Sequence, residues 1–250
     1  MKKLWLIIAL FLFSGTLYAK SINVAIAANV SYAIDDLKKE FSKMYPDTDI
    51  KVTLGSSGKL TAQIFHGAPY DVFMSANMKY PNKLYLEKQA ITKPIIYAQG
   101  ALAYLSVKKQ DFSKNISILM DTKIKKIAIA NPKTAPYGKA AIEAMKNSKI
   151  FTQIQSKLIY AESISQVVTY ATRAADIGII AKSSLYSPKM KMYKNGENWK
   201  EVDTSLYTPI DQGIVILKNG KDKKEAKEFY DFILSKKAKD IFKVYGYKVP

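Results

Sequence analysis

Short apolar runs alternate with amphipathic segments along this chain, and the alternation limits the possible fold more than any other feature. The run SINVAIAA (21–28) is typical of a strand, and Ser31–Tyr45 carries its apolar residues at helical spacing. Further strands are expected at Ile50–Leu54 and Asp71–Ser75, with helices at Lys59–Phe65 and Asn82–Gln89. This order predicts a largely parallel sheet with helices on its faces.

A second series of the same kind follows a long apolar stretch, Pro94–Val107, which Gln99 and Gly100 interrupt. Strands are predicted at 126–130, 158–161 and 177–181, with helices at 138–147 and 165–173 between them. A polar region precedes a last strand at 212–217 and two closing helices, 221–235 and 237–244. The fold class predicted is α/β with two lobes, and a ligand crevice is expected where strands end and helices begin.

The N-terminal segment MKKLWLIIALFLFSGTLYAK has the order of a secretory signal: two lysines, an apolar run and a short polar region. Its apolar run, Leu4–Phe13, is too short to span a bilayer comfortably. Cleavage is expected after Ala19. The sequence contains no cysteine, which excludes a lipid-modified cysteine and disulfides alike. A soluble or loosely attached protein of the bacterial periplasm is therefore expected.

The charge of the chain is strongly positive, but its distribution argues against nucleic acid. Net charge is +18 and falls to +16 when Lys2 and Lys3 leave with the signal. Arg173 is the only arginine, whereas nucleic-acid binders use arginine for bidentate contacts. The lysines are scattered, so we expect no nucleic-acid partner and a general attraction for small anions.

The stretch GSSGKL (55–60) invites comparison with a nucleotide-binding loop, but its spacing does not fit. A Walker A loop has four residues between its glycines and a Ser or Thr after the lysine, whereas here two serines separate the glycines and Leu60 follows Lys59. A helix start at this place can still direct backbone N–H groups and a hydroxyl at one small anion. The alternative is that Ser57 only caps the helix.

Groups for catalysis are scarce in this sequence. His66 is the only histidine, it lies at a predicted helix end, and there is no cysteine. Zinc would need several nitrogen or sulfur ligands, and the Asp pairs lack the spacing of a calcium loop. We therefore expect no catalytic residue, no bare metal cation, no cofactor and no enzymatic activity.

Small polar groups stand instead at four strand-to-helix junctions, two in each series. The four junctions are 28–31 (ANVS), 56–58 (SSG), 135–138 (APYG) and 162–165 (ESIS). Each alone reads as a cap or turn, but together they could surround a pocket of N–H and O–H donors. Such a pocket favours a fully ionised oxyanion, because protonated phosphate would leave its O–H without an acceptor.

At this point the sequence resembles a known family. The run SSGKLTAQIFHGAPYDVFMSAN (56–77) is similar to the signature of periplasmic molybdate-binding proteins, the capture component of molybdate ABC transporters. The segments VAIAANVSYAI, IANPKTAPYGKAAIEAM, ADIGII and AKDIFKVYGY also fit, so the likeness covers essentially the whole mature chain. The resemblance implies a two-lobed periplasmic binding protein fold of type II, with lobe I at 20–97 plus 211–250 and lobe II at 98–210.

The resemblance also implies positions for the ligand. Asn29, Ser57, Tyr137 and Ile164 match the family's anion-binding residues, with Ile164 offering its backbone N–H; weaker candidates are Ala28, Gly58 and Ala181. Many members carry a tyrosine at the position of Ala181, which has no side-chain donor. We hypothesise that the Tyr137 hydroxyl compensates.

The function expected is capture of molybdate, and tungstate too, by a monomer that delivers the anion to an inner-membrane ABC permease. One alternative is a binding protein of the same fold for sulfate, thiosulfate, phosphate or a small carboxylate. A carboxylate binder would normally place an arginine in the cleft, and Arg173 lies at the far end of its helix. Two further alternatives are an exported enzyme and an adhesin or surface antigen.

Overall fold

The computed structural model describes residues 20–250, which form two lobes, each built on a five-stranded mixed sheet. The expected signal segment, residues 1–19, lies outside the described residues. None of the helices within 20–250 has the length and apolarity needed to cross a bilayer. The strands are β1 (Lys20–Ala27), β2 (Thr48–Gly55), β3 (Val72–Met74), β4 (Ile95–Gly100), β5 (Leu102–Leu105), β6 (Ile127–Ala130), β7 (Leu158–Ala161), β8 (Ile177–Ala181), β9 (Trp199–Glu201) and β10 (Ile210–Ile216).

The α-helices follow the strands in the expected alternation, and short 3-10 helices fill several connections. One of these, Ala28–Tyr32, continues directly from β1. The others are Phe112–Met120, Gln155–Lys157, Lys182–Tyr186, Pro188–Met190, Thr204–Leu206 and Lys218–Gly220. The α-helices are α1 (Ile34–Met44), α2 (Ser57–Phe65), α3 (Lys79–Leu86), α4 (Pro136–Asn147), α5 (Phe151–Ile154), α6 (Ile164–Arg173), α7 (Lys224–Leu234) and α8 (Lys236–Val244).

The two sheets have the same plan. The order is β2-β1-β3-β10-β4 in lobe I and β7-β6-β8-β5-β9 in lobe II. In each, three neighbouring strands run parallel and the remaining two pair antiparallel. The expected parallel character therefore holds for the β-α-β part of each lobe, whereas the strands that connect the lobes are antiparallel.

The central strands of lobe I, β1, β3 and β10, are mostly buried on both faces, which explains their largely apolar sequence. Val24 and Ile26 of β1 face a core that includes residues of α1, α7 and α8, while Ala25 faces a second core with Leu60 of α2. The ring of Phe41 packs 5.5 Å from that of Phe229. The two closing helices thus lie on the first sheet. The core of lobe II is one continuous cluster on β5 to β8.

The chain passes between the lobes twice. The first passage is at Ala101, between β4 and β5, and the second lies between β9 and β10. The expected boundary after residue 97 falls inside β4, and the expected start of the returning segment, residue 211, falls one residue inside β10. These antiparallel strands place the carboxyl ends of the parallel strands of both lobes opposite one another.

Candidate functional site

The four predicted junctions meet at a small cavity between the lobes, and Ala76, which follows β3, lines it as well. Two junctions come from lobe I, where β1 ends in the 3-10 helix and β2 ends at α2. The other two come from lobe II, at the first turns of α4 and α6. The cavity is narrow. Its lining residues are Ala27, Ala28, Asn29, Gly55, Ser56, Ser57, Ala76, Ala135, Pro136, Tyr137 and Ile164. The structure therefore brings together the four residues predicted as principal ligands, Asn29, Ser57, Tyr137 and Ile164.

Ser57 is fully buried and is the first residue of α2. Its Oγ accepts a hydrogen bond from the backbone N–H of Ala76 at 2.9 Å, so the hydroxyl proton is free to be donated. As the first residue of a helix, Ser57 also has a backbone N–H that the helix itself does not use. The N-cap residue is Ser56, and neither serine makes a side-chain cap bond to this helix. The capping alternative for Ser57 is wrong, and its side chain and backbone can both donate to an anion.

Asn29 is fully buried where β1 passes into the 3-10 helix. Its Nδ2 donates to Gln212 Oε1 at 2.7 Å and to the Tyr247 hydroxyl at 2.9 Å. Its carbonyl accepts from Tyr247 at 2.9 Å and from Ser183 of lobe II at 3.1 Å. Asn29 therefore connects the cavity with strand β10, with the C-terminal segment and with the opposite lobe.

Tyr137 is the second residue of α4, so its backbone N–H belongs to the unpaired first turn. Its hydroxyl accepts from Gln212 Nε2 at 3.2 Å. The same hydroxyl lies so near Gly100 that a Cβ on this glycine would be 1.9 Å away. The Tyr137 hydroxyl thus faces the strands that connect the lobes, and this geometry does not support the hypothesis that it reaches the anion in place of a tyrosine at 181.

Ile164 is the first residue of α6 and is buried. The N-cap of this helix is Ser163, whose Oγ accepts from the N–H of Gln166 at 3.3 Å. The cap satisfies an N–H deeper in the turn and leaves the N–H of Ile164 for another acceptor. An apolar side chain at this position therefore supplies a backbone donor.

The three weaker candidates differ from one another. Ala28 lines the cavity. The N–H of Gly58 donates to the Thr134 carbonyl of lobe II at 2.9 Å, so Gly58 closes the cleft and does not offer this donor to an anion. Ala181 is buried outside the cavity lining, and its carbonyl accepts from Ser184 Oγ at 2.8 Å. The ligand roles predicted for Gly58 and Ala181 do not fit this structure.

The electrostatics of the cavity come from dipoles rather than from charges. No residue in the lining carries a charge. Lys59 and Glu162 pair at 2.8 Å across the lobes, both exposed to solvent. Arg173 ends α6, about 14 Å along the helix from Ile164 at 1.5 Å per residue. The first turns of α2, α4 and α6 and their partial positive charge supply the field.

The phenols beside the cavity stay neutral across the physiological range. Burial raises the pKa of Tyr247 to about 12. Burial also raises the pKa of Tyr97 and of Tyr137 well above the ordinary value. These groups therefore act as hydrogen-bonding dipoles, and an anion would meet no phenolate.

The titratable side chains considered for metal binding or catalysis can be located in the described part of the chain. Within residues 20–250, no group of three or more His, Asp or Glu side chains could hold a metal ion. His66 is exposed at the end of α2, where its Nδ1 lies 2.7 Å from the Ala62 carbonyl. This is the helix-end position expected for it.

Sequence reasoning missed three residues that shape the site: Ala76, Thr134 and Gln212. Ala76 and Thr134 act through backbone groups, whose role no side-chain pattern indicates. Ser56, which belongs to the predicted junction 56–58 but was not named as a ligand, is buried in the lining, and its Oγ has no partner among the described residues. Gln212 is fully buried and contacts both Asn29 and Tyr137. The sequence feature that could have indicated Gln212 is a polar amide side chain among the apolar residues of β10.

A two-lobed α/β protein with a polar cavity between its lobes has the architecture of a solute-binding protein. A model of the bacterial extracellular solute-binding protein family matches residues 22–248. The molybdate-binding protein ModA of Azotobacter vinelandii is 36% identical over 233 residues, covering 92% of this chain and 90% of the relative. The ModA of Rhodobacter capsulatus is 33% identical over 231 residues, covering 92% and 88%.

The solved structure of the Azotobacter vinelandii periplasmic molybdate-binding protein has the same fold, with a TM-score of 0.84. Its sequence identity is 30%, and the match covers 92% of this chain and 99% of that one. The chain belongs to the bacterial extracellular solute-binding proteins and, within them, to the ModA family.

Proposed function

We propose that this protein captures molybdate, and tungstate as well, in the bacterial periplasm and delivers it to an inner-membrane ABC permease. The observation that carries the proposal is the convergence of four junctions, two from each lobe, on one small cavity without a charged residue in its lining. The sequence similarity to ModA proteins supports molybdate as the ligand.

Affinity in such a site comes from charge-assisted hydrogen bonds. Ser57 offers an N–H and an O–H, and Tyr137 and Ile164 offer N–H groups at helix starts. Hydrogen bonds to a charged acceptor are roughly twice as strong as neutral ones, and a dry cavity strengthens them further. No counter-ion is needed, because each helix start presents partial positive charge.

The chemistry of the donors separates molybdate from phosphate. Molybdate is fully ionised at neutral pH, so each of its oxygens accepts. Hydrogen phosphate carries one O–H, and an unpaired buried O–H costs about 1–3 kcal/mol, which is roughly tenfold or more in affinity. Sulfate is fully ionised but smaller, and in a closed cavity it would leave some donors too far away.

The remaining features follow from this role. The protein acts as a monomer without a cofactor, and it forms no covalent bond with its ligand and catalyses no reaction. The scattered lysines attract anions from a distance, while the two lobes close around the ligand by a hinge motion. Nucleic acid is not a partner.

Calorimetric titration of residues 20–250 tests the proposal. The protein is first unfolded and refolded to remove any carried-over solute, and it is then titrated with molybdate, tungstate, sulfate and phosphate. We expect tight binding of the two metal oxyanions and binding of sulfate and phosphate weaker by roughly tenfold or more. Preference for sulfate, thiosulfate, phosphate or a carboxylate would assign the protein to another anion, and no binding of any oxyanion would reject the function.

A further inference from the structure

A wider polar space lies beside the cavity, and we call it the vestibule. Its polar lining residues are Ser56, Lys59 and Gln63 of lobe I and Glu162, Ser163, Ser165 and Gln166 of lobe II. Ala28, Gly55 and Ser56 line both the vestibule and the cavity, so the two spaces adjoin. An anion that enters or leaves the cavity on this side therefore passes through the vestibule.

The vestibule differs from the cavity in that its lining carries charge. Lys59 and Glu162 are its charged residues, and they pair across the lobes. Lys59 is the third residue of α2 in lobe I, and Glu162 directly precedes the N-cap of α6 in lobe II. Because the pair joins the two lobes, their separation breaks it and moves the carboxylate away. The Lys59 ammonium is then left beside the partial positive charge of the α2 start.

Ser56 supplies an unused hydroxyl where the two spaces adjoin. It is only 4% exposed, and its Oγ has no hydrogen-bond partner among residues 20–250. On lobe II, by contrast, the hydroxyls of Ser163 and Ser165 bond to each other at 3.1 Å, and Gln166 Oε1 accepts from the backbone N–H of Glu162 at 2.7 Å. A buried hydroxyl without a partner costs free energy, which an oxyanion would recover by accepting from it. The groups that can receive an anion in the vestibule therefore belong to lobe I.

We propose that Lys59 and Ser56 form an entry subsite for a dianionic oxyanion, which is occupied while the lobes are apart and is emptied as they close. In the open protein the Lys59 ammonium attracts the dianion. On closure Glu162 becomes the partner of Lys59, and the anion moves past the Ser56 hydroxyl to the dipoles of the cavity. This exchange of partners explains how a charged entrance can lead to an uncharged cavity. The inference rests on the proposed function, because it needs an oxyanion in this cavity.

An entry subsite affects rates more than affinity, because it is empty in the closed complex. Removal of the Lys59 charge slows entry and exit alike, while loss of the ion pair favours opening, so the effects on release oppose each other and slower association remains. Removal of the Glu162 charge keeps the subsite and only favours opening, so release becomes faster. An ion pair that merely held the lobes together would give the same result from either side.

Lys59→Gln and Glu162→Gln are therefore the matched variants for the test. The release rate is measured by loading residues 20–250 with radioactive molybdate, adding excess unlabelled molybdate and filtering rapidly; the association rate is this rate divided by the Kd from calorimetry. At low ionic strength Lys59→Gln should slow association about two- to fivefold, the scale of Coulomb's law for one positive charge and a dianion about 10 Å apart in water. Glu162→Gln should keep the association rate and release molybdate faster, by up to about fivefold. Equally faster release in both variants, with unchanged association, would overturn the proposal.

Two further variants and the salt dependence sharpen the test. Lys51→Gln removes the same charge from lobe I at an exposed position about 13 Å along β2 from Gly55, so its association rate should stay near that of wild type. Ser56→Ala should slow association about two- to tenfold and keep the salt dependence of wild type, since no charge is lost. The deficit of Lys59→Gln should vanish at about 1 M salt, where the Debye length is about 3 Å. Equal slowing in Lys51→Gln, or unchanged association in Ser56→Ala, would overturn the entry subsite.

Equilibrium binding separates this inference from the proposed function. Failure of wild-type protein to bind any metal oxyanion would reject the proposed function, whatever the rates of the variants. If wild-type protein binds molybdate and Lys59→Gln associates with it at the wild-type rate at low ionic strength, the entry subsite alone is overturned.

Discussion

The two lobes contribute different kinds of hydrogen-bonding groups to the cavity, polar side chains from lobe I and backbone N–H groups from lobe II. Lobe I contributes buried polar side chains, Asn29, Ser56 and Ser57, whereas lobe II contributes Ala135, Pro136, Tyr137 and Ile164, of which only Tyr137 has a polar side-chain atom, and that atom is bound to Gln212. Lobe II therefore offers an anion little except backbone N–H groups. Hydrogen-bond donation to an anion therefore depends on residue identity in lobe I and on the position of a residue at a helix start in lobe II.

The largest loss of molybdate affinity is expected from a substitution among the polar side chains of lobe I. Ser57→Ala removes the free hydroxyl and leaves the N–H of Ala76, now bonded to Ser57 Oγ, without its partner. The lost donor to the anion is worth about 1–3 kcal/mol, so molybdate affinity should fall roughly tenfold to a hundredfold, while the unpaired Ala76 N–H lowers the stability of the fold. Calorimetry checks the value, and Ser56→Ala, which removes the other serine hydroxyl of the lining, tests whether the loss is specific to Ser57. A larger loss in Ser56→Ala than in Ser57→Ala would contradict the assignment of Ser57 as the principal hydroxyl donor.

A backbone donor of lobe II can be removed by substitution with proline, which has no backbone N–H. Ile164→Pro removes the N–H at the first position of α6, where proline fits a helix, and Ser163 before it already has an extended backbone with φ −138° and ψ 162°. We expect roughly a tenfold to hundredfold loss of affinity with the helix retained.

Ile164→Val and Ile164→Ala are the controls for this experiment. They trim the side chain but keep the N–H, so their affinity should stay near that of wild type. Circular dichroism monitors the fold of all three variants. If Ile164→Pro bound molybdate like Ile164→Val, lobe II would not contribute this backbone donor.

A smaller loss of affinity is expected from a substitution that keeps the donors of both lobes but hinders closure of the lobes. At Gly58 a Cβ would lie 2.9 Å from the Thr134 carbonyl of lobe II, closer than normal contact allows. Gly58→Ala should therefore hinder closure and weaken binding by about tenfold, while alanine suits the helix. The matched control is Lys59→Ala: the Lys59–Glu162 pair is 49% and 74% exposed, so its loss should change affinity less than about fivefold.

Small-angle scattering with and without molybdate provides the structural side of this test. Wild-type protein should be as compact with the anion as residues 20–250 are in this structure, whereas Gly58→Ala should remain more open. If the variant closed fully and bound normally, the contact between Gly58 and Thr134 would not limit closure.

The smallest effect is expected from pH, because neither half contains a group that titrates near neutrality. Molybdate affinity should stay nearly constant between about pH 6 and 9, since the buried phenols have raised pKa values. Phenols in the unfolded chain lose protons from about pH 10. Burial raises the pKa of Tyr247 to about 12, so stability that is present below about pH 10 is lost as the pH rises through this range. Affinity that changed tenfold between pH 6 and 9 would reveal a charged ligand group.

Most of the fold could be predicted from hydrophobic periodicity. The strands β7 and β8 begin and end where the apolar runs do, and α6 starts one residue before the predicted helix. The 3-10 helix Ala28–Tyr32 was not expected, because a single short turn has no periodic signature. Strand β9 (Trp199–Glu201) was missed because three partly exposed residues form it only by pairing with β5.

In the candidate site, too, some residues could be predicted from the local sequence and others depend on contacts between distant parts of the chain. The principal ligands could be predicted because each stands at a junction between a strand and a helix, and the family resemblance selected them. Gly58 and Gln212 could not be assigned, because their roles arise from contacts with residues 75 or more positions away in the sequence. The direction of the Tyr137 hydroxyl depends on Gly100 and Gln212, which the local sequence does not specify.

The most direct test of the account is a crystal structure of residues 20–250 grown with tungstate and recorded at a tungsten absorption edge. The anomalous signal locates the metal without any assumption about the site. The account predicts one strong peak between the lobes, within hydrogen-bonding reach, through the tungstate oxygens, of Ser57 Oγ and the backbone nitrogens of Ser57, Tyr137 and Ile164. A peak among the surface lysines, or a cavity without tungsten at saturating tungstate, would contradict it.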